Sequence, residues 1–179
     1  YEVGSPNLPV KRRLFEIPFG AEPVVNLISY DLKEYDLADF GTNNKIVPVQ
    51  PPQPKCGNCP EFKIDNAIYS HDQYLTNDIV NVDVLGFMRG VRIARINIQP
   101  IEYNPVQNKI RVYENLVFEI TFQHADLMQT EVLKQKQRSI YFESIFRQIA
   151  NYEPAVSREN LTQYPVKYLI VSDPMFESQ

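Results

Sequence analysis

The sequence has few of the residues that form metal, phosphate or membrane sites. Its 179 residues include 2 cysteines, 2 histidines, 6 glycines and no tryptophan. The glycine-containing run GFMRG, at 86–90, is too short to cradle phosphate and lies between predicted strands. No apolar run approaches the roughly 18 residues that a transmembrane helix needs. These absences exclude a phosphate-binding loop and a membrane-spanning helix.

Basic charge is also scarce. The chain has 18 Lys and Arg residues against 22 Asp and Glu, a net charge of −4 and a pI near 5.3. No basic run gathers enough charge to follow a phosphate backbone, which excludes a nucleic-acid-binding protein. With 44% hydrophobic and 22% charged residues, the composition is that of a globular protein. The length fits one domain, or one domain and a fragment of another.

The residues that are abundant favour β structure. The chain has 14 prolines, 11 tyrosines and 10 phenylalanines, with little helical periodicity. Hydrophobic patterning predicts strands within residues 10–19 and 24–30, followed by an irregular acidic stretch at 31–45. Residues 47–60 contain five prolines. They predict an extended, polyproline-like loop, because proline fixes φ and removes backbone donors.

Regular strands resume after residue 78. Val80, Val82 and Val84 alternate with polar residues. The apolar pattern then changes phase between Ile93 and Ile96, which predicts a β-bulge. Because a turn at 104–108 leads into a second alternating run, we predict an antiparallel hairpin over 91–123.

One helix is predicted late in the chain. Tyr141, Ile145 and Ile149 recur at helical spacing, with Phe142 and Phe146 beside them. Serine is suited to the N-cap position, so the helix is predicted to start at Ser139.

A change of character follows this helix. After a polar segment, residues 166–171 form a continuous apolar strand that leads into helix-starting residues at 172–174. A buried-type strand before a helix opens an α/β domain, so we predict a domain boundary near 153–164. The chain starts at Tyr1 without methionine and stops at Gln179. We therefore expect it to be a segment of a longer protein.

The two cysteines, Cys56 and Cys59, form a Cys-Gly-Asn-Cys motif. A redox motif of this spacing needs a strand before it and a helix after it, whereas here proline-rich loop flanks both sides. Zinc would need two further ligands, and His71 and His124 stand alone. The motif is interpreted as a short-range disulfide of an oxidising compartment, or as two unpaired thiols.

No other group of residues resembles an active site. The carboxylates Glu34, Asp36 and Asp39 lie in the irregular acidic stretch and are interpreted as solvated. The basic cluster at 134–138 is interpreted as a solvated linker or as a protease-sensitive joint. We assign no catalytic residue, no cofactor and no metal to this chain.

Three stretches together resemble the N-terminal prodomain of the gingipain family of cysteine peptidases, in particular that of its lysine-specific members. The first runs from VGSP at 3–6 to PVV at 23–25. The second, LGFMRGVRIA at 85–94, is the most specific. The third runs from YFE at 141–143 to PV at 165–166. The likeness covers essentially the whole chain.

The resemblance implies a fold and a role. Family prodomains are antiparallel, jelly-roll-like β-sandwiches that keep a caspase-like peptidase latent and assist its folding. Residues 1–153 would be this prodomain, 154–164 a linker, and 165–179 the truncated start of the caspase-like domain. The catalytic His and Cys would lie beyond Gln179, so we expect this segment not to be an enzyme. Its partner would be its own peptidase, first in cis and then bound non-covalently after cleavage.

The resemblance also assigns a role to Lys55. In the family, a basic side chain from a prodomain loop enters the specificity pocket of the peptidase, and Lys55 occupies the matching position. A long cation on a stiff, extended segment is similar to a substrate of a basic-specific protease. Lysine rather than arginine suggests a Lys-cleaving partner, because the two cations are not interchangeable in a fitted pocket. Without the resemblance, Lys55 would be interpreted as a solvated loop lysine.

Further site predictions follow from the same resemblance. The chain departs from the family pattern directly after Lys55, and we hypothesise that a Cys56–Cys59 disulfide stiffens that segment. The alternative is that the departure weakens the plug. Arg158, in the polar linker, is the predicted processing site, with 134–138 as the second choice. Family members are exported through the periplasm, typically to the outer surface of Bacteroidetes-type bacteria.

Three alternatives stay open from the sequence. The first is a β-sandwich adhesion or carbohydrate-binding module, which would carry a surface aromatic platform. The second is a thiol-redox module with a reactive Cys56. The third is a family scaffold that has lost inhibition.

Overall fold

The structure is a computed structural model that describes residues 2–55, 57, 60–75 and 78–155. Within that part of the chain, six strands form two three-stranded antiparallel sheets, with the orders β1-β4-β3 and β2-β6-β5. This confirms the mainly β prediction. The strands are β1 (Lys11–Glu16), β2 (Glu22–Asp36), β3 (Val80–Met88), β4 (Val91–Ile98), β5 (Ile101–Asn104) and β6 (Lys109–Gln123).

The helical segments of the described residues are short, and none is long and apolar enough to cross a membrane. They are α1 (Asn66–Tyr69), α2 (Leu127–Gln137), α3 (Glu143–Phe146), and the 3-10 turns Leu37–Phe40 and Ile140–Phe142.

The two sheets pack face to face around an aromatic and aliphatic core. Phe15 of β1, Ile17 just after β1 and Ala94 of β4 are buried, and Ile120 and Phe122 of β6 pack against them. The rings of Phe15 and Phe122 stack with centroids 6.4 Å apart. The alternation of apolar and polar residues along β6 thus arises because one face of this strand packs against the first sheet.

The acidic stretch after residue 30 is strand rather than irregular loop. β2 continues to Asp36, where it pairs with Lys109 of β6. Cross-strand charge pairs support this extension, with Lys33 2.5 Å from Glu114 and Glu34 3.3 Å from Arg111. The sequence prediction was wrong here because charged pairs, not an apolar face, define the strand.

The phase change in β4 has a different cause from the predicted bulge. Val91 and Ile93 pack against Phe146 and Ile149 in one cluster, whereas Ala94 belongs to the core between the sheets. Because side chains alternate between faces along a strand, each half of β4 is buried on a different face. The bulge lies instead in the neighbouring strand, where the register of β3 shifts between Val84 and Gly86.

The predicted hairpin over 91–123 is half correct. β5 and β6 form an antiparallel hairpin from Ile101 opposite Val112 to Asn104 opposite Lys109. β4 belongs to the other sheet, so the chain crosses between sheets at residues 99–100. Proline has no N–H for a ladder, and at Pro100 the carbonyl alone bonds, accepting from the Tyr113 amide at 2.8 Å.

The late helix is shorter than predicted and is preceded by one that was not predicted. Residues after Ser139 form a 3-10 turn and then α3, with Phe146 and Ile149 buried and Tyr141 69% exposed. α2 starts at the N-cap Asp126, whose carboxylate accepts from the Gln129 amide at 2.8 Å.

Candidate functional site: the Lys55 loop

Lys55 lies at a bend within residues 51–62, which we call the Lys55 loop, and the described residues 57 and 60–62 of this segment are exposed. Residues 52–55 are all exposed, as the proline-rich pattern predicts. Cys56, Cys59 and Arg158 lie outside the described residues. Lys55 is therefore accessible to solvent.

The base of the Lys55 loop is closed by one side chain. The side-chain nitrogen Nε2 of Gln50 donates to the Lys63 carbonyl at 2.7 Å. The backbone amide of Lys63 donates back to the side-chain oxygen Oε1 of Gln50 at 2.9 Å. This pair has the form of a strand-to-strand backbone pair, with a side-chain amide in place of a peptide group. It holds the two ends of the Lys55 loop together.

The N-terminal segment supports the first arm of the loop. The Gly4 amide donates to the Val49 carbonyl and the Val49 amide donates to the Ser5 carbonyl, both at 2.8 Å. The Asp65 amide donates to the Gly4 carbonyl at 3.1 Å. Residues of the N-terminal segment thus bond to the chain on both sides of the Lys55 loop.

Two buried tyrosines fix the approach to the loop. The Tyr69 hydroxyl donates to the Ile46 carbonyl at 2.5 Å, and the Ile46 amide donates to the Tyr103 hydroxyl at 3.3 Å. Burial, and secondarily Tyr103, raises the pKa of Tyr69 to about 12. The Tyr103 hydroxyl in turn donates to Asn108 at 2.7 Å, in the turn between β5 and β6. The loop is therefore anchored to the second sheet.

A carboxylate makes the second connection to that turn. Asp72 accepts from the side-chain amides of Asn104 and Gln107, each at 2.8 Å. Both bonds lower the pKa of Asp72 below its ordinary value, with Asn104 contributing most. The segment that follows α1 is thus tied to the sheet that carries Tyr103.

Three apolar side chains near the base of the loop are exposed. Val47 is 63% exposed, Phe62 66% and Ile64 42%. The segment 47–64 thus carries an exposed cation, Lys55, and three exposed apolar side chains. That combination suits contact with another protein.

The other residues that the sequence offered as site candidates include Glu34, Asp36 and the two histidines. Glu34 pairs with Lys109 and Arg111 at 3.3 Å, and Asp36 caps the 3-10 turn by accepting from the Ala38 amide. His71 and His124 are exposed, and the described residues contain no group of three potential metal ligands.

The loop-base residues were not predicted from the sequence. Gln50 lies between prolines, and nothing in the pattern singles it out. The α1 start could have been found, because Asp65 is a standard N-cap type and accepts from the Ala67 amide at 2.9 Å.

Two antiparallel sheets packed face to face make the described part of the chain a β-sandwich. The chain belongs to the Propeptide_C25 family, whose model matches residues 1–172. It is 36% identical over 179 residues to Lys-gingipain HG66 of Porphyromonas gingivalis, covering 98% of this chain and 10% of that protein. The chain thus spans about a tenth of the length of that curated relative.

Solved structures agree with this assignment. The chain superimposes on a structure reported for the zymogenic latency of gingipain K from Porphyromonas gingivalis with a TM-score of 0.65 and 37% identity. That match covers 70% of this chain and 69% of the other. A complex of the RgpB pro- and mature domains from the same organism matches with a TM-score of 0.64 and 22% identity, covering 86% and 75%, which supports the fold.

Proposed function

We propose that this prodomain keeps a gingipain-type cysteine endopeptidase latent, and assists its folding, by placing Lys55 in the specificity pocket. The observation that carries the proposal is the exposed Lys55 in a loop whose two ends are joined by the Gln50 side chain. A loop held in shape before binding loses less conformational entropy on binding. The prolines of the loop act in the same direction.

The partner we propose is the peptidase domain of the same precursor, first in cis and then non-covalently after cleavage. A precedent is the matched RgpB structure, which is a complex of pro- and mature domains. In this chain, exposed Val47, Phe62 and Ile64 would supply apolar contacts beside the cation. Lysine at position 55 favours a peptidase that cleaves after lysine.

Removal of the prodomain completes the proposal. We propose cleavage after Arg158 in the linker 154–164, with residues 165–179 forming the start of the caspase-like peptidase domain. We also propose export through the periplasm, to the medium or the cell surface. A mature enzyme whose N-terminus, read by Edman sequencing, lies elsewhere would contradict the Arg158 assignment. A Cys56–Cys59 disulfide would stiffen the chain after Lys55, so reduction should weaken inhibition. An inhibition constant unchanged by reduction would exclude that role.

The test is inhibition of the mature cognate peptidase by the 179-residue chain. Lys55→Ala should weaken inhibition roughly thirty-fold to a few thousand-fold, the usual loss when one partner of a desolvated charge pair is removed. Lys63→Ala is the matched control, because it removes a lysine from the loop base while keeping the backbone bonds to Gln50. It should inhibit like the wild-type chain.

The outcomes separate the parts of the proposal. Tight inhibition that ignores Lys55→Ala would keep the inhibitory role and move the contact to another surface. Equal losses in both lysine variants would mean that general charge, not a fitted pocket, drives binding. Absence of any inhibition would overturn the proposal.

A further inference from the structure

The outer edge of β1 is covered by the segment at 147–155, which we call the strap. β1 is an edge strand of the first sheet, so its outer backbone groups need partners. The Ala150 amide donates to the Leu14 carbonyl at 3.0 Å. The Asn151 side chain accepts from the Glu16 amide at 2.6 Å and donates to the Glu16 carbonyl at 2.9 Å. One asparagine side chain thus pairs with both backbone groups of an edge residue.

Lys134 of α2 makes a buried ion pair with β1 and a hydrogen bond to the strap. The Lys134 ammonium lies 2.8 Å from Glu16, and the side chains of the two residues are only 8% and 10% exposed. The same ammonium donates to the Glu153 carbonyl at 2.5 Å and lies 5.0 Å from the centre of the Tyr152 ring. Lys134 therefore joins β1, α2 and the strap.

The strap has a second attachment beyond Lys134. The ring of Tyr152 packs on Phe146 with centroids 5.0 Å apart, and its hydroxyl donates to Glu143 at 3.4 Å. Glu143 also lies 3.5 Å from Arg138, and Ala155 at the end of the strap is buried. Release of the strap would remove the Glu153 carbonyl and the Tyr152 ring from Lys134, and would open the edge of β1.

We propose that the seated strap protects the Lys134–Gln135 peptide bond from lysine-directed proteolysis, and that strap release makes the prodomain degradable. A lysine-directed peptidase must bind the lysine side chain and hydrolyse the following bond, with water supplying the new carboxylate oxygen and amine proton. The Lys134 ammonium is inaccessible while it bonds to Glu16 and Glu153. The idea that strap release contributes to prodomain removal rests on the proposed function. The protection of the Lys134–Gln135 bond by the strap does not.

Lys136 provides an internal reference for this protection. It lies in the same last turn of α2, two residues further on, but its side chain is exposed. Unwinding of the helix end would therefore expose both bonds, whereas release of the strap uncovers the side chain of Lys134 by removing the Glu153 carbonyl and the Tyr152 ring. The ratio of cleavage after Lys134 to cleavage after Lys136 therefore measures release of the strap and not unwinding of the helix end.

The experiment is limited digestion of the full 179-residue chain with a commercial lysine-specific endopeptidase, with initial rates at each lysine read by mass spectrometry. Glu16→Gln removes the ion pair, and Asn151→Ala removes the strap bonds to β1. Each should raise the rate after Lys134 by about 10- to 100-fold relative to Lys136, since a bond to a charged group or two backbone bonds are lost. Glu114→Gln, which breaks the exposed pair with Lys33, is the matched control and should leave the ratio unchanged.

Hydrogen exchange separates strap release from unfolding. In Asn151→Ala the Ala150 amide should exchange faster while the β4 amides stay protected. Equal acceleration at all amides and all lysines would show global unfolding and overturn the proposal. So would rapid cleavage after Lys134 in the wild-type chain, or no change in either variant. Because no cognate peptidase is used, failure of Lys55 as the inhibitory residue would leave these results intact.

Discussion

Gly90, in the turn between β3 and β4, allows the sheet and α2 to come into contact. Its φ is +79°, and a Cβ at this position would clash with the carbonyl of Leu133 in α2. Gly41 has nearly the same φ, +77°, but no atom lies within 4 Å of its Cβ position. The two glycines therefore separate the cost of a left-handed backbone from the cost of a steric clash.

This contrast gives a prediction for the stability of the fold. Gly41→Ala should lower the free energy of unfolding by about 1 kcal/mol through backbone strain. Gly90→Ala should cost about 2–4 kcal/mol, because α2 must also move away from the sheet. Urea denaturation monitored by tyrosine fluorescence measures both. Equal losses in the two variants would show that α2 does not press on Gly90.

At the scale of elements, the sequence correctly predicted those strands and loops whose conformation depends on residues close together in the chain. The alternation around Phe118 predicted β6, and the prolines around Lys55 predicted an exposed, extended loop. It did not predict that β4 leaves its expected hairpin, because the partner of a strand depends on contacts distant in the chain. It also missed the closed loop base, since a glutamine that bonds to a backbone thirteen residues away leaves no periodic signal.

That closed base makes a prediction about the Lys55 loop. Gln50→Ala removes both bonds to Lys63 and should weaken inhibition of the cognate peptidase about tenfold, because the loop loses order in the free chain. Gln53→Ala, at an exposed position of the same loop, is the control and should inhibit normally. Inhibition assays with both variants would check this. Full inhibition by Gln50→Ala would mean that the peptidase itself orders the loop.

At the scale of the whole molecule, polar pairs join parts of the chain that lie far apart in sequence. Glu16 and Lys134 are 118 residues apart, and Glu16 and Asn151 are 135 apart. The sequence pattern around Lys134 favours a solvated linker or a protease-sensitive joint. The structure buries Lys134 instead, because an acidic partner on β1 compensates its charge. Such pairing cannot be predicted from one segment at a time.

Wholly or partly buried tyrosines in α1, in the segment after it, in β6 and in the strap give the stability of the molecule a common upper pH limit. Burial is the main cause that raises the pKa to about 12 in four of them: Tyr69, Tyr74, Tyr113 and Tyr152. Nearby carboxylates add to the effect, Glu34 beside Tyr74 and Glu143 beside Tyr152. A tyrosine in the unfolded chain loses its proton near pH 10. The folded state therefore binds these protons more tightly than the unfolded state does.

The stability of the fold should follow from this difference. The contribution of these tyrosines is complete below pH 10 and is lost as the pH rises from about 10 to about 12, because unfolding then releases phenol protons. Denaturant titrations across that range, with phenolate absorbance of the folded chain, would measure it. Tyr113→Phe should make the decline shallower, since one of the four groups no longer titrates. If all tyrosines of the folded chain ionised together near pH 10, their hydroxyls would be solvated, and the anchoring of the Lys55 loop through Tyr69 would be wrong.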